Sequence, residues 1–207
     1  YVIPPDKLSY LVPKLKFKQI LYEYIDGDSK VPITPHPATF PVPFLNNITP
    51  KDIENLFKPS EEARGGGVGI DSFTWRYQGE NPISATRDIV ATLNIKAQNF
   101  TDLVKKTGYS VRNPNKKSGD KDEYFTHRFR YADLAMRTAD IPDLSPELAH
   151  YQVMVEVGWG WSDSGEQFLS DNEKNAIKNL TLTFFLTMVD HSFNINDDAT
   201  IDFQIKY

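Results

Sequence analysis

The chain has no cysteine. That absence excludes a disulfide framework, a thiolate metal site and a cysteine nucleophile, and it fits folding in a reducing cytoplasm. No run of about 18 apolar residues occurs, so no helix is expected to span a membrane, and no secretory leader is visible. Positive charge is also in short supply. Lys and Arg total 23 against 28 Asp and Glu, a net charge of -5. A chain with that balance gains little from the phosphate field of DNA or RNA. The expectation is no membrane and no nucleic acid as partner.

Signatures of catalysis are missing as well. His36, His127, His150 and His191 show no i, i+4 pairing and no HExxH, so no metal site is expected. Gly65–Gly69 lacks the Gly-Lys-Ser/Thr of a phosphate loop and precedes a strand rather than a helix. Ser162–Glu166 lacks the Gly-x-Ser-x-Gly elbow. Asp190 and His191 are neighbours on an expected strand and point to opposite faces, which does not make a triad. Glu156 is the one acid deep in a core-like run. It is either a general acid with a raised pKa or, more simply, the partner of a cross-strand base such as Arg128 or Arg130. The expectation is a non-enzyme with no cofactor, no metal and no catalytic residue.

What is present is apolar and aromatic. Hydrophobic residues make up 40% of the 207 positions and aromatics 13%, enough for a real core and well suited to pleated surfaces. Proline is uneven: ten of the 14 lie in residues 1–60. The stretch Val31–Phe44, VPITPHPATFPVPF, cannot be a helix, and proline has no N–H for a central strand. It reads as an extended arm. Its apolar side chains Val31, Ile33, Phe40, Val42 and Phe44 are expected to find cover on a neighbouring subunit and to add little to their own core. Leu15–Ile25 before it reads as a strand, Asp26–Asp28 as a turn, and Thr49-Pro50-Lys51-Asp52 as the start of a short helix to about Phe57. This gives an expected arm over 1–64, a glycine joint at 65–69, and a compact β-rich body over 65–207.

In the body the period is two. Phe73–Tyr77 and Asp88–Gln98 alternate as strands wet on one side. Asn99 caps a short helix to about Lys106, and 107–123 reads as a polar, mobile loop. Tyr124–Tyr131 reads as a strand, and Ser145-Pro146-Glu147 as a helical turn. Tyr151–Trp161 alternates most cleanly, which places Val153, Val155, Val157 and Trp159 in the core. Ser170–Glu173 is a capping box opening a helix to about Lys178. Leu180–Ile195 reads as one long strand that turns at Asn196–Asp198 and returns through Ile201–Tyr207 as a hairpin. The fold class expected is mainly β (α+β): an antiparallel sandwich or barrel-like body with a few short helices and the Pro-rich arm.

Trp159 and Trp161 share a face, and Trp75 could join them in stacking on sugars; packing in the core is the simpler reading. The sequons at Asn47, Asn99 and Asn179 are near chance in number. The chain opens on Tyr1 rather than Met and stops at Tyr207 inside an alternating run, so flanking sequence is expected.

Several segments together resemble virion structural proteins of tailed bacteriophages, of the tail and baseplate type. They are FTWRYQGENP (73–82), TRDIVATL (86–93), VEVGWG (155–160), TMVDHSFNIN (187–196) and TIDFQIKY (200–207). The resemblance covers about Gly69–Tyr207 and rests on turn and strand patterns. It implies a non-enzymatic assembly subunit of the tail, neck or baseplate, made in the host cytoplasm and located in the virion. Its partners would be copies of itself in a ring-like homo-oligomer and other virion proteins. The alternatives are a carbohydrate-binding β-module using Trp75, Trp159 and Trp161, and a cell-wall hydrolase with a site around Glu156.

Overall fold

The computed structural model describes residues 3–27, 29–44, 67–79, 88–121, 123–135 and 153–207. The expected helix at 49–57, the helical turn at Ser145, His150 and the Asn47 sequon lie outside them. In chain order the strands are β1 (Leu11–Leu21), β2 (Glu23–Asp26), β3 (Ser29–Pro32), β4 (Ala38–Pro41), β5 (Val68–Tyr77), β6 (Ile89–Ala97), β7 (Thr107–Arg112), β8 (Tyr124–Phe129), β9 (Val153–Trp161), β10 (Leu182–Leu186), β11 (Asp190–Ile195) and β12 (Ile201–Lys206). All their pairings are antiparallel. A first sheet has the order β10-β9-β1-β4 and a second β11-β12-β6-β5, with β2-β3 and β7-β8 as separate hairpins.

The two large sheets meet face to face, as the alternation of apolar and polar residues requires. Phe17 of β1 meets Phe73 of β5 edge-on, with ring centroids 5.3 Å apart. Trp75 of β5 lies 5.4 Å from Phe184 of β10. Leu93, Ile95, Val153, Val155, Phe203 and Ile205 are fully buried between the sheets. The fold is therefore an antiparallel sandwich, and the two large sheets do not close into a barrel.

The separation into an arm and a body does not hold. β1 lies in the middle of the first sheet, between β9 and β4. The proline-rich stretch is part of the sandwich because its prolines sit where no ladder donor is needed. β4 is an outer strand, and Pro41 ends it opposite Lys18. The residues between the prolines supply the bonds: Ile33 N–H donates to the Tyr22 carbonyl at 2.8 Å, and Val42 N–H to the Phe17 carbonyl at 2.9 Å.

Two further expectations change. Leu180–Ile195 is not one strand: β10 belongs to the first sheet and β11 to the second. Leu186 and Met188 are both buried, so the period of two runs past the end of β10, and the inner face shifts by one residue before Phe193 and Ile195 of β11. The stretch 107–123 contains β7, paired with β8. The loop after it is tied to the proline-rich stretch, where Asn115 Oδ1 accepts from the His36 backbone N–H and Asn115 Nδ2 donates to the His36 carbonyl.

The helices are short. α1 (Phe100–Val104) is capped by Asn99, whose side chain accepts from the Asp102 N–H. α2 (Asp163–Phe168) is capped by Ser162. α3 (Asp171–Asn179) carries the expected capping box between Ser170 and Glu173.

Candidate interaction surface

The residues expected to face a neighbouring subunit face this chain's own core. Ile33, Phe40, Val42 and Phe44 are buried, and only Val31 is partly open. Phe40 packs against Tyr109 and Phe129 with centroids 5.0 and 5.2 Å away. Phe44 packs against Phe17 and Tyr131. The Tyr131 hydroxyl donates to the Pro43 carbonyl, and burial lifts its pKa above the ordinary value. The cover that these side chains need is supplied within the subunit.

Apolar side chains are left open elsewhere. Along β9 the inner row begins with Val153 and Val155, both fully buried, continues with the partly buried Val157 and with Trp159, which is 47% exposed, and ends with the partly buried Trp161. The expectation of a buried Trp159 fails because this row outruns the second sheet. Pro13 pairs with Trp159, and Leu15 with Val157, so the same overhang runs onto β1. With Phe73, Trp75, Leu180 and Leu182 these residues line an open groove of about 490 Å³ in which, among the described residues, Lys14 is the only charged one. Trp75 and Trp159 are thus brought together, while Trp161 is not. The Trp161 indole N–H donates to Glu166, and Lys178 Nζ lies 5.6 Å from its ring centroid.

The second overhang is at the other sheet's edge. Among the described residues β11 pairs only with β12, in a register that sets Phe193 opposite Phe203 and Ile195 opposite Ile201. Residues directly opposite share a face, so Phe193 and Ile195 lie on the inner face of the second sheet. Phe203 and Ile201 are covered there, but Phe193 is 55% exposed, Ile195 71% and the preceding Val189 66%. Phe193 keeps one stacking partner, Phe203, at 5.1 Å.

The candidate chemistry does not assemble. Glu156 lies on the outer face of the first sheet, where Lys18 bonds it directly and Lys14 approaches to 3.2 Å. The bond from Lys18, more than any other cause, holds its carboxyl below the usual carboxylate range despite some desolvation. A general acid needs the opposite shift. The partners are lysines of β1 and not Arg128 or Arg130; Arg130 is paired with Asp133 at 2.7 Å. The Asp190 carboxylate accepts from the backbone N–H of His191 at 2.8 Å, not from its imidazole. His127 Nε2 lies 3.0 Å from Gln19 Oε1, and burial lowers its pKa, with Asp133 opposing. Asn99 serves as a cap and Asn179 ends α3. Among the described residues no group of three His, Asp or Glu is placed to hold a metal ion.

β11 is the feature that the sequence reading passed over. Its sequence, DHSFNI, alternates like any half-covered strand, but it contains no Lys, Arg or Pro, the residues that commonly protect a sheet edge. Comparison with family models, with curated proteins and with solved structures finds no match for this chain.

Proposed function

We propose that the chain is a non-enzymatic structural subunit whose open surfaces are covered by other protein chains, in the virion of a tailed bacteriophage as the resemblance implies. Tail, neck or baseplate is the place, and a ring-like homo-oligomer in contact with other virion proteins is the form. The observation that carries this reading is the pair of overhangs. Inner-face apolar side chains run past the end of the opposing sheet at Trp159 and Leu182, and again at Phe193 and Ile195. Apolar side chains grouped in this way mark protein interfaces.

The test is sedimentation of the full chain over a range of concentrations, combined with assays on peptidoglycan and other bacterial surface polysaccharides. Association that grows with concentration and no turnover are expected, with Glu156→Gln indistinguishable from the wild type. A chain that stays monomeric and binds no virion protein would sink the assembly reading. Turnover in the wild type would sink the non-enzyme reading, whether or not Glu156→Gln abolishes it. In particles, an antibody to the chain should decorate the tail, neck or baseplate; decoration of none of them removes the phage setting.

A carbohydrate-binding module remains the second reading because Trp75 and Trp159 share an open groove. Rings alone stack on sugars, but specificity for hydroxyls comes from amides and carboxylates beside them. The groove lining offers Lys14 and otherwise apolar groups, which suits an apolar protein segment better than a glycan.

A further inference from the structure

The four outer strands of the sandwich are not alike. β4 is four residues long, ends in Pro41 and follows Pro37. β5 carries Asp71 and Arg76 and a register shift between Ile70 and Ser72, which bends the strand. β10 is five residues long, with two residues between it and the end of α3. β11 runs six residues in unbroken register with β12, and every one of them is exposed. β10 also lacks a proline, a bend and a basic residue, but two of its five residues are buried; among the described outer strands β11 is the one exposed along its whole length, with nothing of that kind to stop another strand from pairing with it.

Its backbone is set for a definite partner. The Asn196 N–H donates to the Thr200 carbonyl at 2.9 Å, which fixes the hydrogen-bonded pairs of the hairpin. Counting back along the ladder, Asn194, Ser192 and Asp190 face β12, while the N–H and C=O groups of His191, Phe193 and Ile195 point away from it. The Asp190 carboxylate takes the His191 N–H, as a stand-in where a neighbouring strand would otherwise sit.

We propose that β11 pairs antiparallel with β11 of a second copy, about a two-fold axis through Phe193, joining the two second sheets into one. The proposal rests on the assembly reading and names its partner and register. In this arrangement Phe193 lies opposite Phe193 of the second copy, and His191 opposite Ile195. Each of the three outward-facing residues finds an outward-facing partner, with two reciprocal bonds per pair. Ser192 falls opposite Asn194 and Asp190 opposite Asn196, so no like charges meet. Centring on Ser192 instead would set Ile195 against Val189, whose N–H is already given to the Lys206 carbonyl. Centring on Asn194 would set His191 against Asp197, in the turn. Pairing across the two-fold keeps inner faces on one side, so Phe193 and Ile195 of both copies merge into one apolar strip. β5, beside the Trp75–Trp159 groove, is the opposite edge of the same sheet, which leaves the pair able to join a larger ring.

The chain's lack of cysteine makes the register testable. Phe193→Cys and Ile195→Cys are made separately in the full chain and oxidised mildly. Phe193→Cys should form a covalent dimer. Ile195→Cys should not, because the two copies of residue 195 stand roughly 13 Å apart across the axis. The double variant His191→Cys with Ile195→Cys should cross-link again. Separately, Ile195→Pro removes an outward N–H without touching the β12 ladder, and should weaken the dimer roughly tenfold or more. Circular dichroism checks that each variant stays folded. Equal cross-linking at 193 and 195, cross-linking at neither, or an Ile195→Pro dimer as tight as the wild type would overturn the strand pairing. If the wild type nonetheless associates, the assembly reading survives and its contact lies elsewhere.

Discussion

Residues 31–44 and residues 189–195 exchange the roles that their sequences suggest. The first has five prolines and an irregular apolar pattern and reads as a segment waiting for a partner. The second alternates cleanly and reads as an ordinary strand of the body. In the structure Ile33, Phe40, Val42 and Phe44 are buried within the subunit, while Val189, Phe193 and Ile195 stand in solvent. Proline limits which backbone groups can bond, not which side chains can be buried. Alternation states which face of a strand is apolar, not whether another layer reaches far enough to cover it.

The largest expected effect tests the first half of that comparison. Phe40→Ala removes a buried ring that three aromatic neighbours enclose and should cost about 3–5 kcal/mol of folding free energy. Urea denaturation of the variant against the wild type measures it. Deleting 31–44 outright should leave no cooperative transition, because β4 and the cover over Phe17 go with it. A deletion variant that still melts cooperatively near the wild-type temperature would restore the idea of a separable arm.

A smaller effect concerns how the N-terminal stretch is fastened to the C-terminal half. Lys7 Nζ donates to both oxygens of Glu173, at 3.0 and 2.9 Å, and the Ser170 backbone N–H and hydroxyl add bonds at 2.7 and 2.8 Å. The Lys7 bond first, and the Ser170 bonds after it, hold the Glu173 carboxyl down at about 2 from an ordinary 4.5. A carboxyl whose pKa is lower in the folded state stabilises the fold fully above its unfolded pKa and loses that contribution as pH falls toward the folded value. The melting temperature should therefore drop as pH falls from about 4.5 toward 2. In Glu173→Gln that part of the acid dependence should be gone. An identical acid profile in the variant would mean that Glu173 does not fasten the two parts.

The local vocabulary of the fold was legible. The Asn99 cap, the capping box at Ser170, the turn at Asn196–Asp198 and most strand positions follow from residue chemistry confined to a few neighbours. What depends on the second layer was not legible. Trp159 continues the inner row of Val153 and Val155, and nothing in residues 151–161 says that β5 and its neighbours stop short of it. Leu182–Met188 keeps a period of two past the end of β10, and the inner face then passes from these even-numbered positions to the odd-numbered Phe193 and Ile195, a change of phase by one residue that a reading of one long strand smooths over. Glu156 was recognised as an acid in need of a base, but its partners Lys14 and Lys18 lie some 140 residues away in sequence. β7 was hidden because its pattern, TGYSVR, has only Val111 buried.

The smallest expected effect tests the other half of the comparison. Phe193→Ala deletes a ring as large as that of Phe40, and equal cost would mean that the two sites are equally sealed. They are not alike in what the ring touches. Phe193 stacks on Phe203 from one side, has the His191 ring 5.7 Å away, and shows more than half its surface to water. Only the covered part of the ring loses transfer free energy on truncation, and no closed cavity is left behind, so the monomer should lose about 1 kcal/mol. The measurement must be made on dilute protein, because any association through β11 adds stability that depends on concentration. Raising the concentration should therefore widen the gap between wild type and Phe193→Ala, while the gap for Phe40→Ala stays constant. A Phe193→Ala cost that is large and independent of concentration would mean that β11 is sealed within its own subunit, and the contrast between the two segments would disappear.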